Sequence, residues 1–432
     1  MALFPQNALN DGVKKREVFG WAMYDFANSG YTTVVLTAVF NAYFVGVVAG
    51  NADWATLAWT LVISASSLVV MFTLPAIGAY ADLKAAKKRL LMLSTTGCVL
   101  GTLALAFAGP GDLWLAVIAV VVSNTAYAYG ESLIAAFLPE VARPQSLGRV
   151  SGWGWSLGYL GGMLALGLSL VYVLMAQKRG ETAAQFVPVT MFITAAIYSI
   201  ASTLTFFLLK ERAVPQPAPA GGSGLGASLR RLGETIKQAR HYRDFCWFLG
   251  CSASYQAGIS VVITLAAVYA KEAFGFKEAD IMLLVFLVNI ASAVGAFGFG
   301  YWQDRIGHKI ALGTTLLGWV LMTAIAVLAT GKDMFWVAAI IAGLCMGSSQ
   351  SAGRAMVGLF SPTERRGEFF GLWTFATRLS AIVGPLTYGL VTLLTSNNHR
   401  LAMAITSVFF IAGLLLLWPV SVKRGADARE MR

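Results

Sequence analysis

Four ionisable side chains interrupt long apolar stretches of this chain: Asp25, Glu131, Arg354 and Arg378. A charge in such a stretch is costly unless it faces protein or water, so these residues mark a solute path, a relay or a gate. Neutral polar residues recur around them at helical spacing. Asn124, Tyr127 and Glu131 fall at i, i+3 and i+7, and Gln350 and Arg354 at i and i+4. Tyr24, Asn28 and Tyr31 make a third face, with Asp25 beside it. Gln256 adds a further amide. Arg354 could take the carboxylate of a zwitterionic solute while Glu131, with Asp25, takes its ammonium group. The same two residues could instead pair with each other when one side of a cavity closes. The spacing leaves both readings open.

Other chemistry has little support. Cys98, Cys246, Cys251 and Cys345 lie in apolar surroundings without a CxxC pair, and His241, His308 and His399 are far apart. Metal-site spacing and a disulfide framework are both missing, and no cofactor is expected. No nucleophile–base constellation marks an enzyme, and no Walker-type phosphate loop supports ATP-driven work. The net charge of +11 is split into short clusters between apolar runs, such as Lys14-Lys15-Arg16 and Lys87-Lys88-Arg89. That is the pattern of a membrane protein's loops, not of a nucleic-acid groove.

The elements that must position these residues are membrane-spanning helices. The chain of 432 residues is 57% hydrophobic and 12% charged, about half the charge of a soluble domain. Twelve stretches are long enough to cross a bilayer: 18–48, 55–81, 90–109, 112–137, 148–176 and 187–209, then 244–270, 279–302, 310–330, 334–359, 368–394 and 400–420. The expected fold is an all-α integral membrane protein of two pseudo-symmetric six-helix bundles, 1–209 and 244–432. The segment 210–243 between them is a Pro/Gly-rich linker followed by a basic amphipathic stretch, Leu229 to Arg243, suited to a membrane surface. With both termini inside, inner segments carry 24 Lys and Arg and outer loops six, which predicts cytoplasmic termini. No cleavable signal and no glycosylation sequon is evident, which points to a bacterial inner membrane.

The halves look related. Gly78-Ala-Tyr-Ala-Asp82 follows the second span, and Gly300-Tyr-Trp-Gln-Asp304 follows the eighth. At an offset of 223, Glu131 matches Arg354, Pro139 matches Pro362, Arg143 matches Arg366 and Gly148 matches Gly371. Glu131 and Arg354 each precede the matched proline by eight residues, which places both roughly 12 Å inward. A pseudo-twofold axis would then set them facing each other near mid-membrane.

The loop Gly300-Tyr-Trp-Gln-Asp304-Arg305-Ile-Gly307-His308-Lys309 resembles the G-x-x-x-D-R-x-G-x-[KR] signature of the major facilitator superfamily. The earlier copy keeps Gly78, Asp82 and a basic end. Three stretches resemble the vacuole-effluxer family within it: Trp21 to Ser29, Gly158 to Gly162, and Gly347 to Arg354 followed by Glu368 to Gly371. Where that family often has Tyr-Asn-Asp-Gly, this chain has Tyr255-Gln256-Ala257-Gly258. The resemblance implies a transporter whose first, fourth, seventh and tenth helices line a central cavity, placing Asp25, Glu131 and Arg354 there. It also implies that Gly78, Asp82, Gly300, Asp304 and Arg305 serve conformational change, not binding. Arg143, Arg366 and Arg378 are expected as gate or helix-packing residues, with Glu140 to Arg143 and Glu364 to Arg366 as gate clusters.

The expected function is alternating-access transport of a small polar solute, with amino acids the leading class, protons as a candidate coupling ion and the lipid bilayer as surroundings. The alternatives are an exporter of lipophiles and a non-transporting receptor or assembly factor.

Overall fold

In the computed structural model, residues 4–216, 230, 233, 241–396 and 398–428 are described. Apart from its two ends and residues 230 and 233, the expected linker and surface helix over 210–243 fall outside them.

Twelve long helices follow the twelve apolar stretches. They are α1 (Lys15–Val48), α2 (Ala55–Lys84), α3 (Lys87–Leu105), α4 (Leu113–Ala135), α5 (Leu147–Lys178) and α6 (Ala183–Leu208). Then come α7 (Arg243–Phe274), α8 (Glu278–Ile306), α9 (His308–Leu328), α10 (Lys332–Phe360), α11 (Arg366–Leu394) and α12 (His399–Leu417). Eleven of them are long and apolar enough to cross a membrane. The twelfth, α3, begins with Lys87-Lys88-Arg89, and its apolar remainder packs along α4 and α6. In a bilayer only closed backbone hydrogen bonding is tolerated, which helices supply internally.

The first six helices pack around one apolar core and the last six around another. A third cluster, including Trp21, Phe137, Leu147 and Leu359, joins them. It lies at the end of the bundle that bears both chain termini, called the terminal end below. The halves touch through α2 against α11, α5 against α8 and α10, and α4 against α11. Glycines make the two outer seams. Any side-chain carbon at Gly78 would strike the backbone of Gly367, and one at Gly300 the backbone of Gly148.

The chain enters α1 through residues 4–13, which lie against the α4–α5 connection. Leu9 bridges Ala142, and the Asn10 amide donates to the carbonyls of Pro139 and Glu140. Past Thr32, α1 widens into π-type turns, with the Val39 N–H reaching back to Val34 at 2.9 Å. Such turns leave a helix locally open to rearrangement.

The internal repeat is real but not of one register. Gly130 of α4 packs on the Tyr24 hydroxyl, and Gly353 of α10 packs on the Tyr255 hydroxyl. That supports the 223 offset for Glu131 and Arg354. The expected match of Gly148 to Gly371 fails. Gly148 and Gly367 make equivalent seam contacts, and so do Gly152 and Gly371. The physical cause is an extra helical turn, Leu138–Val141, in the α4–α5 connection.

Candidate functional site

Two carboxylates fasten the terminal end, each at the end of a helix of one half and the start of a helix of the other. Asp82, late in α2, accepts hydrogen bonds from the backbone N–H of Gly367 and Glu368, both at 3.0 Å. Asp304, late in α8, accepts from the N–H of Gly148 and Arg149 at 2.9 and 3.2 Å. These lie in the first turns of α11 and α5, where N–H groups lack helical partners and the dipole favours an anion. Arg149 adds an ion pair to Asp304 at 3.2 Å. Four of the expected conformational residues, Gly78, Asp82, Gly300 and Asp304, thus meet at two equivalent seams. Arg305 instead lies exposed at the end of α8.

The arginines matched by the repeat do different jobs. Arg366 comes within 3.9 Å of Glu140, which is paired with the buried Lys87. Arg143 instead binds the Leu9 carbonyl and Asp11 at 2.8 Å each, holding the N-terminal segment of its own half. The extra turn before Arg143 carries it away from the seam.

Deeper in, Arg354 crosses from α10 to α1 and α5. Its guanidinium donates to Asp25 at 2.7 Å, to the Ser151 hydroxyl at 3.1 Å and to the Ser151 carbonyl at 2.9 Å. The rings of Trp21 and Trp155 flank it at 4.8 and 5.3 Å. Trp21 is itself fixed by donating to the Ile134 carbonyl. A desolvated guanidinium over an indole gains about 2 kcal/mol per ring.

Arg378 of α11 pairs with Glu131 of α4 at 3.0 Å, over the ring of Tyr127. The expectation that Glu131 faces Arg354 is therefore corrected. The two occupy matched positions, but each reaches a neighbouring helix of the opposite half. With the terminal end closed, α4 lies against α11 and α10 against α5, not against each other.

Accessibility separates the pairs. The side chains of Arg354 and Asp25 are 3% and 10% exposed, whereas Glu131 and Arg378 are 36% and 17% exposed. Hydrogen bonds between the halves cluster from the terminal end to this level.

The remaining candidates divide. Gln256 and Gln350 hydrogen-bond each other at 2.8 Å, tying α7 to α10. Tyr127 sits under Arg378. Asn28 faces away from the seam, accepting from Tyr198 of α6 at 2.6 Å. Tyr24 and Tyr31 likewise bond Thr95 and Ser123 inside the first bundle. The polar face of α1 is an interior network of that bundle, not cavity lining. Sequence reasoning missed Ser151 and the two indoles. Trp155 stands two residues from Trp153 in an apolar run and Trp21 opens the stretch Trp21 to Ser29, which are the signals for the indoles; a lone serine gives none. No group of metal-ligating side chains occurs among the described residues.

Comparison with known proteins decides the family. The family described as vacuole effluxer Atg22-like matches residues 41–430. The chain belongs to that family. This effluxer relative is 25% identical to an uncharacterized MFS-type transporter, YxiO, of Bacillus subtilis, over 95% of this chain and 96% of the other. It is 23% identical to autophagy-related protein 22-1 of Penicillium rubens, over 64% of this chain but only half of the fungal protein. The fold matches the human organic anion transporter MFSD10 (TM-score 0.71, 13% identity, 93% of this chain and 99% of that one). It also matches a bacterial homologue of the iron transporter ferroportin in an outward-facing state (TM-score 0.71, 12% identity, 94% and 98%). The molecule is thus a multi-pass membrane transporter of the major facilitator type, resembling the Atg22 effluxers.

Proposed function

We propose that this effluxer-family protein carries a small zwitterionic solute, of the amino-acid class, by alternating access. Glu131 and Arg378 are its solute-facing pair, and Asp25–Arg354 is an inter-half lock. The carrying observation is the contrast in burial between two ion pairs that both cross the seam. Arg378 offers donors to a carboxylate and Glu131 accepts from an ammonium group. Arg354 already has three hydrogen bonds and two rings around it, which suits closure and not binding. On this reading the terminal end is cytoplasmic, in a bacterial inner membrane, and the state described is open to the opposite side. Protons are the coupling ion, with Asp25 as the group that takes one up when Arg354 withdraws.

The test is flux into proteoliposomes with a panel of amino acids, their amides and their decarboxylated amines. A zwitterion carrier needs both charged groups, so amides and amines should not compete. Competition by amines alone would sink the zwitterion reading while leaving a transporter. An exporter of lipophiles would transport apolar cations in preference and tolerate Glu131→Gln with Arg378→Gln. No flux of any solute would favour the receptor reading.

A further inference from the structure

The surface of the first half carries an apolar groove of about 640 Å³ that no transport step uses. Val69, Ile77 and Tyr80 of α2 form one wall and Leu90 and Leu93 of α3 the other. Its floor is α4, from Val121 to Leu133. Helices α2 and α3 are joined by a tight turn yet hardly touch along their lengths. The corresponding place in the second half is shut. There Gly343 and Gly347 of α10 bring its backbone against Val288 and Ser292 of α8. The repeat puts Val120 and Asn124 of α4 at those positions. Asn124 instead spans to the Ser66 hydroxyl at 2.6 Å, so side chains hold α2 and α4 apart.

Size, place and charge point to one occupant. The floor runs for thirteen residues of helix, roughly 18 Å from first to last, close to the ~15 Å depth of one leaflet. It occupies the leaflet at the terminal end, since Tyr80 and Leu90 lie next to the α2–α3 turn. Leu93 and Val122 are exposed to the surrounding lipid. One helical turn beyond Tyr80 on α2 stands Lys84, and one turn beyond Leu93 on α3 stands Arg89; both are exposed. Arg89 has no ion-pair partner among the described residues.

We propose that this groove is a binding site for an anionic phospholipid, its acyl chain between α2 and α3 and its phosphate against Arg89 and Lys84. The apolar cleft takes the chain, and the two cations select the headgroup by charge. A lipid held there braces α2, the helix that carries Gly78 and Asp82 to the seam.

Native mass spectrometry of the purified full-length protein, offered phosphatidylglycerol or phosphatidylcholine with identical chains, tests this. Phosphatidylglycerol should be retained in preference, with about fivefold weaker retention for each cation removed in Lys84→Ala and Arg89→Ala. Leu93→Trp, at an exposed position that leaves the interior intact, should lay a ring across the groove and reduce retention of both lipids. Equal retention of the two lipids by the wild-type protein overturns the headgroup assignment. Unchanged retention in Leu93→Trp overturns the groove as the chain site. Displacement of the lipid by an apolar solute that is also transported would make the groove a lateral route and overturn the proposal.

Discussion

The Asp25 carboxylate and the Arg354 guanidinium meet at 2.7 Å, joining the first helix of one half to the tenth helix in the other. Their partners are drawn from both halves, so the pair exists in full only while the terminal end is closed. Removing one member leaves a buried charge uncompensated, at a cost of about 3–5 kcal/mol.

Arg354→Gln should therefore open the terminal end more often. In a background without the four native cysteines, Ser361→Cys lies in the 360 Å³ cleft between Pro139 and Arg366. Its labelling by a bulky thiol reagent should rise severalfold in Arg354→Gln and in Asp25→Asn. Unchanged labelling in both would remove the lock from the mechanism.

The capping aspartates call for a different readout. Asp82→Asn and Asp304→Asn each lose a charge–dipole contact worth about 1 kcal/mol at a helix start. Transport should slow while solute affinity, measured by isothermal titration, stays within about threefold, since neither residue lies at the solute level. A large loss of affinity with unchanged labelling of the terminal end would count against this.

Charge reversal distinguishes the two pairings. Glu131→Arg combined with Arg378→Glu keeps an ion pair across the seam, so Ser361→Cys protection should return toward wild type. Transport of an oriented zwitterion should not return. Glu131→Arg combined with Arg354→Glu breaks both observed pairs and should recover neither. Recovery of protection by this second combination would restore the pairing expected from the repeat.

A pH-dependent effect is expected outside the spans, at Glu211. Burial raises its pKa, against the opposing bond from the Lys88 N–H. Raising a carboxyl's folded pKa penalises its charged form in the fold. Its contribution therefore weakens as pH rises from the unfolded value through the folded one. Glu211→Gln should raise the melting temperature slightly at pH 8 and change it little at pH 4. A lower melting temperature at pH 8 would show that the bond from the Lys88 N–H to the charged carboxylate outweighs burial.

Much of this was legible beforehand. Long apolar runs dictate helices, and a carboxylate four residues past a small residue, as in Gly78 to Asp82 and Gly300 to Asp304, announces the seams. The matched depth of Glu131 and Arg354 was legible because each precedes its matched proline, Pro139 or Pro362, by eight residues. Their partners were not. Partner choice depends on which helices cross at that depth in a given state, and no spacing within one helix encodes a crossing. Ser151 was invisible for the same reason: its carbonyl matters as much as its side chain, and every residue has a carbonyl. Arg143 misled because four extra residues in one connection displaced an otherwise matched position.

The two rings flanking Arg354 belong to the first half, while the cation they hold belongs to the second. Closure therefore brings a positive charge to the π-faces of Trp21 and Trp155, and opening withdraws it. Indole emission responds to such a field, so the resting and opened molecules differ in colour without any attached dye. With the other ten of the twelve tryptophans replaced by phenylalanine, the remaining two would make the protein its own optical gauge of which side it faces.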